Sequence, residues 1–171
     1  MEKGLRNYDR RNVDLIVVHS SGSRETVDYT FAQCIKDHKA RGFNGCEYHL
    51  FVSRDGSKHI GRHFDSTCHH VQGRNSGSIA ICYEGGLDER GKVKDTRTAP
   101  QKESLIECIL DALEYASGNV KRITGHRNLS NGIGVVEPNE WALVCPCFDA
   151  ETEYKHLIGA GWPHEKLNED E

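Results

Sequence analysis

Short apolar runs separated by polar, glycine-marked segments give this chain its pattern. Residues 13–18, V-D-L-I-V-V, have charged residues before them and S-S-G-S after them. That predicts a strand buried on both faces, with His19 at its carboxyl end. Residues 30–41 carry Phe31, Cys34, Ile35 and His38 at helical spacing, behind a Thr30/Gln33 capping box and ahead of Gly42 as a left-handed stop. Residues 47–53 alternate, so Tyr48, Leu50 and Val52 are expected on one face of a strand and Glu47, His49 and Phe51 on the other. R-D-G-S at 54–57 predicts a hairpin turn that pairs residues 58–61 back. A polar, glycine-dotted loop over 66–78 leads into a strand at 79–83 and then the turn E-G-G-L-D-E-R-G-K. The clearest helix starts at a second capping box, Thr98/Gln101, with Pro100 in its first turn. Its expected buried stripe is Leu105, Ile106, Ile109, Leu110 and Leu113, ending at Gly118. Residues 120–124 read as a short strand ending just before His126, and a last helix is expected around 150–158. Alternating strands and helices without an interdomain linker predict an α/β chain forming one domain over residues 1–171, with a core of about 12–160 and an acidic tail at 161–171.

Charge narrows the partners. A formal charge of -4 and 28% charged residues provide no concentrated basic field, so neither nucleic acid nor an anionic membrane is an expected partner. No segment resembles a signal peptide or reaches transmembrane length, and the expectation is cytoplasmic synthesis.

Seven cysteines are an odd number without the spacing of a small disulfide-linked domain, and mostly free thiols are expected. Cys34, Cys82 and Cys108 sit in apolar patterns and read as small buried hydrophobes. The cysteine pair in residues 137–149, E-P-N-E-W-A-L-V-C-P-C-F-D, is different, because it lies in an irregular segment beside a proline. With His19 and His126 at strand ends it forms a candidate zinc site. Two imidazoles and one thiolate leave a tetrahedral ion an open position, the layout of a catalytic rather than a structural centre. C-H-H at Cys68, His69 and His70 is a rival cluster, although consecutive residues rarely converge on one ion without strain. His38, His59, His63, His156 and His164 read as surface or structural groups.

Taken in order, these residues resemble the amidase branch of the peptidoglycan recognition protein superfamily, particularly the phage lysozyme type of N-acetylmuramoyl-L-alanine amidase. The resemblance runs from about residue 14 to 149. It includes V-V-H-S-S at 17–21, K-A-R-G-F-N-G at 39–45, Y-H-L-F-V-S-R-D-G at 48–56, H-V-Q-G-R-N at 70–75, G-H-R at 125–127 and C-P-C-F-D at 145–149. It implies a mixed central β-sheet flanked by helices, and zinc held by His19, His126 and Cys145 with Cys147 as a non-ligand. Tyr48 takes the place of the family's active-site tyrosine, and His70 that of a loop histidine near the cleft, a candidate substrate contact. The implied substrate is peptidoglycan or a muropeptide, cut between the lactyl group of N-acetylmuramic acid and L-alanine. The implied setting is a phage or prophage endolysin or a bacterial recycling enzyme, and a monomer is expected.

Two positions depart from the family pattern. Leu143 stands two residues before the cysteine ligand, where phage enzymes have lysine and animal relatives often threonine. One missing oxyanion donor typically costs about 2.7 to 4 kcal/mol of transition-state stabilisation. Leu143 therefore keeps open an alternative, a muropeptide-binding module with little turnover. The second departure is a longer connection between His126 and Cys145. Its Asn131, Gly134, Glu137 and Glu140 fall at calcium-loop offsets, but Leu129 and Ile133 occupy the first and fifth ligand positions. No calcium site is expected there.

Overall fold

The computed structural model describes residues 10–132 and 144–159. Five strands form the main sheet: β1 (Leu15–Ser20), β3 (Leu50–Val52), β4 (Lys58–Ile60), β5 (Ser78–Tyr83) and β7 (Arg122–Gly125), in the order β4-β3-β5-β1-β7. β1 lies parallel to both β5 and β7, β3 is parallel to β5, and β4 returns antiparallel to β3 after the predicted hairpin turn. The sheet is therefore mixed, as the family resemblance implied. The apolar run at 13–18 became a central strand because every residue of β1 is buried, which only a strand covered on both faces allows.

Side-chain alternation sorts the core into two faces. Ile16 and Val18 of β1, Leu50 and Val52 of β3, Ile79, Ile81 and Tyr83 of β5 and Ile123 of β7 all join one large cluster. That face is covered by α2 (Ala99–Ala116) and α3 (Ala150–Tyr154), through Leu105, Cys108, Ile109, Ala112, Ala150 and Tyr154. Leu15 and Val17 face the other way, against Val71 and Leu129. Phe51 and Cys82 also face that way, against Cys34 of α1 (Phe31–Ala40).

The helices start where their caps say. Thr98 and Gln101 form the complete reciprocal box of α2, and the Gln101 amide also donates to Glu84 O at 2.9 Å, tying the helix start to the end of β5. In α1 only half of the box forms: Thr30 accepts from Gln33 N–H, while the Gln33 side chain turns to Asp37. Gly42 follows with φ +97°, the left-handed stop.

Three expectations need correction. The α2 stripe runs through Leu105, Cys108, Ile109, Ala112, Leu113 and Ala116, whereas Ile106 is 39% exposed and Leu110 is only partly buried. Tyr48 does not share a face with Leu50 and Val52. Residues 47–49 bend before β3 begins, so strict alternation starts only at Leu50 and Tyr48 packs on the Phe51 side. A two-stranded sheet, β2 (Ser23–Arg24) with β6 (Gly86–Leu87), occupies what read as loop and turn.

Candidate metal centre

Parallel register builds the site. Val18 of β1 pairs with Gly125 of β7, so the next residues along the two strands, His19 and His126, sit side by side at the carboxyl ends. Their rings meet edge to face with centroids 4.7 Å apart. Open α/β sheets bind ligands at such strand ends.

Cys145 arrives from the far side of the chain, and several contacts fix it. Arg127 N–H donates to Cys145 O at 2.6 Å, the Tyr83 hydroxyl donates to Pro146 O at 2.6 Å, and Cys147 N–H donates to Val144 O at 2.7 Å. Gly125 makes the docking possible, because a Cβ there would lie 2.5 Å from Cδ of Pro146. Behind the turn, Phe148 packs on Tyr83 and Tyr154, and the Arg97 guanidinium stacks 3.4 Å from its ring centroid. The Cys145 thiol group then lies 3.8 Å from His19 Nδ1 and accepts a hydrogen bond from Ser20 N–H at 3.2 Å. One donor atom from each of His19, His126 and Cys145 falls within 4.8 Å of the other two.

The electrostatics suit a cation with nitrogen and sulfur donors. Burial and the neighbouring His70 and His126 hold His19 far below its ordinary pKa, and burial lowers His126 too. Both rings are therefore neutral, the form that binds metal. Burial, with a smaller push from Cys147, raises the Cys145 thiol to about 12 despite the Ser20 hydrogen bonds, so a thiolate there needs a positive partner. Zinc fits this donor set, and the Ser20 amide aimed at the sulfur suits a thiolate acceptor.

His70 lies behind His19. Its Nδ1 is 2.8 Å from His19 Nε2, and its Nε2 is 2.7 Å from the Ser78 hydroxyl. A proton on His19 Nε2, given to His70, leaves the His19 Nδ1 lone pair facing the Cys145 sulfur, which is how an outer partner orients a metal-binding histidine. Burial drops His70 to about 3, so it is the neutral acceptor this requires. Asn75 Oδ1 takes the N–H groups of both His70 and Val71 at 2.9 Å and fixes the loop.

Tyr48 forms the opposite wall, its ring 5.2 Å from that of His19. Burial raises its phenol well above the ordinary value, so it stays a hydrogen-bond donor. The donors and Tyr48 line a cleft of about 260 Å³ together with His38, Phe43, Glu47 and His69. A larger depression of about 580 Å³, lined by Asp28, Phe31, Arg54 and His59, lies elsewhere and holds no metal-ligating cluster among the described residues.

The rival C-H-H cluster is pulled apart. Cys68 is fully buried, His69 binds the buried Glu47 carboxylate at 3.1 Å, and His70 binds His19. Sequence reasoning missed Ser20, Ser78 and Glu47 because a backbone amide or a supporting side chain has no motif of its own. It also missed that His38, read as surface or structural, is buried beside Cys34 and Cys46. Leu143, most of the insertion with its calcium-like offsets, and the tail lie outside the described residues.

The family model for N-acetylmuramoyl-L-alanine amidase matches residues 9–139, ending before Cys145. The endolysin of Klebsiella phage KP32 is 29% identical over 140 residues, covering 82% of this chain and 84% of that protein. The endolysin of Enterobacteria phage T3 is 30% identical over 140 residues, covering 82% and 84%. Among solved structures, the N-acetylmuramoyl-L-alanine amidase LysC from Clostridium intestinale superposes with a TM-score of 0.66 at 23% identity, covering 88% of this chain and 87% of that one. The likeness in fold and the matched sequence agree, and the chain belongs to the N-acetylmuramoyl-L-alanine amidase family.

Proposed function

We propose that this chain is a zinc-dependent N-acetylmuramoyl-L-alanine amidase of the endolysin type, which hydrolyses the amide between N-acetylmuramic acid and L-alanine in peptidoglycan or its fragments. The observation that carries the reading is the convergence of His19, His126 and Cys145 beside Tyr48 in one cleft of an amidase-family chain. Zinc held by those three residues would supply Lewis acidity and a water acidified to a pKa of roughly 7.

The protein's own groups do the rest. His70 accepts the His19 Nε2 proton and keeps that ring in one orientation. Tyr48, protonated at neutral pH, donates a hydrogen bond to the scissile carbonyl oxygen as charge develops on it. Ser20 N–H holds the Cys145 sulfur in place. The cleft walls restrict water around the reacting bond and hold the stem peptide in register with it.

Leu143 favours the second reading, a binder with little turnover, because it cannot donate to an oxyanion. Incubating the zinc-loaded protein with a purified muropeptide and following free stem peptide by mass spectrometry separates the two. Release that is lost in Cys145→Ala, along with about one equivalent of zinc, is the expected result. Tight muropeptide binding without release overturns the amidase reading, and unchanged zinc in Cys145→Ala overturns the ligand set.

A further inference from the structure

A second sulfur and imidazole cluster lies behind the cleft wall. Cys34 and His38 are one turn apart on α1, and Cys46 comes back to them after the Gly42 stop. The three are 1%, 2% and 3% exposed for Cys34, Cys46 and His38. The Cys34 sulfur is 4.0 Å from the Cys46 sulfur and 3.9 Å from His38 Nε2. None of these groups has a part in the reaction proposed above.

The ligand types and spacing would suit a metal, since all three donors lie within 4.8 Å of one another. The hydrogen bonding argues otherwise. His38 Nδ1 accepts the Glu47 N–H at 2.8 Å, so in the neutral ring the proton sits on Nε2, which then has no lone pair for an ion. That N–H points at the sulfurs instead. Cys46 also accepts the Tyr48 N–H at 3.4 Å. Donors therefore converge on Cys46, the one cysteine among the described residues whose acidity is enhanced: hydrogen bonds from Cys34 and His38 pull it down to about 5. Its neighbour Cys34 is driven up, chiefly by sharing its proton with Cys46, and remains a thiol. A stabilised thiolate beside a protonated thiol is the arrangement of a nucleophilic and a resolving cysteine.

We propose that Cys34 and Cys46 are a redox-active dithiol that closes to a disulfide when hydrogen peroxide reaches it from the cleft. The Cys46 thiolate attacks one peroxide oxygen, the O–O bond breaks, and a sulfenic acid forms as hydroxide leaves. The Cys34 sulfur then attacks the Cys46 sulfur, gives up its proton, and displaces the sulfenic oxygen as water. In sum, two thiols and one peroxide become one disulfide and two waters. His38 of the cluster and Glu47, next to Cys46, both line the cleft, so the thiols adjoin the space from which peroxide would come. Closure draws the sulfurs from 4.0 Å to about 2.05 Å and pulls on the segment that carries Tyr48. Oxidation thus lowers amidase turnover, and a dithiol reductant restores it. That effect on rate rests on the amidase reading; the cross-link does not.

The test treats reduced, zinc-loaded protein with one equivalent of peroxide, blocks remaining thiols and maps the peptides. A Cys34–Cys46 cross-link forming before any change at Cys68 or Cys108, and opened by dithiothreitol, is expected. Cys34→Ser, which keeps a hydrogen-bond donor beside Cys46, should stop at a Cys46 sulfenic acid that dimedone traps, while Cys46→Ser should leave Cys34 unreactive. Zinc content measured in parallel shows whether Cys145 has been oxidised instead. Cys34 and Cys46 remaining free while other cysteines oxidise overturns the proposal. A second equivalent of zinc, lost in both variants, overturns it as well and assigns the cluster to metal. The peptide map is read without any activity, so it stands even if the protein cleaves no muropeptide.

Discussion

Replacing His70 by alanine separates two roles that its position in the cleft allows. The His19 Nε2–H would lose an acceptor 2.8 Å away, and the chain of hydrogen bonds through His70 to Ser78 would end at His19. Losing such an outer partner typically weakens metal binding by about 10- to 100-fold, equivalent to roughly 1.4 to 2.8 kcal/mol. The desolvation cost of an unpartnered buried N–H, about 1 to 3 kcal/mol, has the same size. Zinc affinity measured by chelator competition at pH 7.5 should therefore fall 10- to 100-fold in His70→Ala. Ser78→Ala breaks only the distant link and should cause a smaller loss. With saturating zinc, His70→Ala should recover most of its rate with KM nearly unchanged, since the histidine acts through His19. If zinc affinity stays within about threefold of wild type while KM for a muropeptide rises tenfold, the reasoning is wrong. His70 is then the substrate contact that the family resemblance first implied.

Two further predictions concern acid stability and turnover. Burial lowers His49 to about 4 from its ordinary 6.5, so the unfolded chain takes a proton below pH 6.5 that the folded chain refuses until about pH 4, and stability present above that window is lost as pH falls through it. The whole loss is roughly 3 kcal/mol, of which about 2 kcal/mol is gone by pH 5; urea unfolding of His49→Asn should show a pH 7 to pH 5 decline smaller by that amount, and equal declines would refute the assignment. Leu143→Lys should raise kcat on a muropeptide by up to the roughly 100- to 1,000-fold associated with one oxyanion donor, with little change in KM. A wild-type rate that is already high and falls with the lysine would show that another group fills the donor's place.

What the sequence disclosed follows from which features carry periodicity. The central strand was legible because Leu15 to Val18 form an unbroken apolar run of strand length, and the long helix because its buried stripe repeats at helical spacing and Thr98 and Gln101 mark its start by chemistry alone. His19 and His126 were legible as strand-end residues, but only parallel register shows that they end side by side. The face of Tyr48 was not legible, since alternation assumes an extended backbone and residues 47–49 bend. Two-residue strands such as β2 and β6 carry no period to read. The pairing of Cys34 with His38 four residues on was visible in principle, yet it gains chemical meaning only when the loop after Gly42 returns Cys46 to the same helix.

The two faces of the sheet divide stability from chemistry. Ile16, Val18, Ile79 and Ile81 pack on α2, and large-to-small changes there cost about 2 to 5 kcal/mol without touching the cleft. The opposite face carries His19, Tyr48, His70 and the Cys34 and Cys46 thiols, alongside smaller apolar clusters around Val71 and Phe51. Cys145 and Phe148 bridge the two, since the sulfur points into the cleft while the aromatic ring three residues later packs in the α2 core. The third donor is thus held by the hydrophobic core rather than by the cleft itself. Loosening Phe148 should accordingly release zinc before it unfolds the sheet, whereas trimming Leu105 or Ile109 should lower the unfolding free energy with zinc affinity intact.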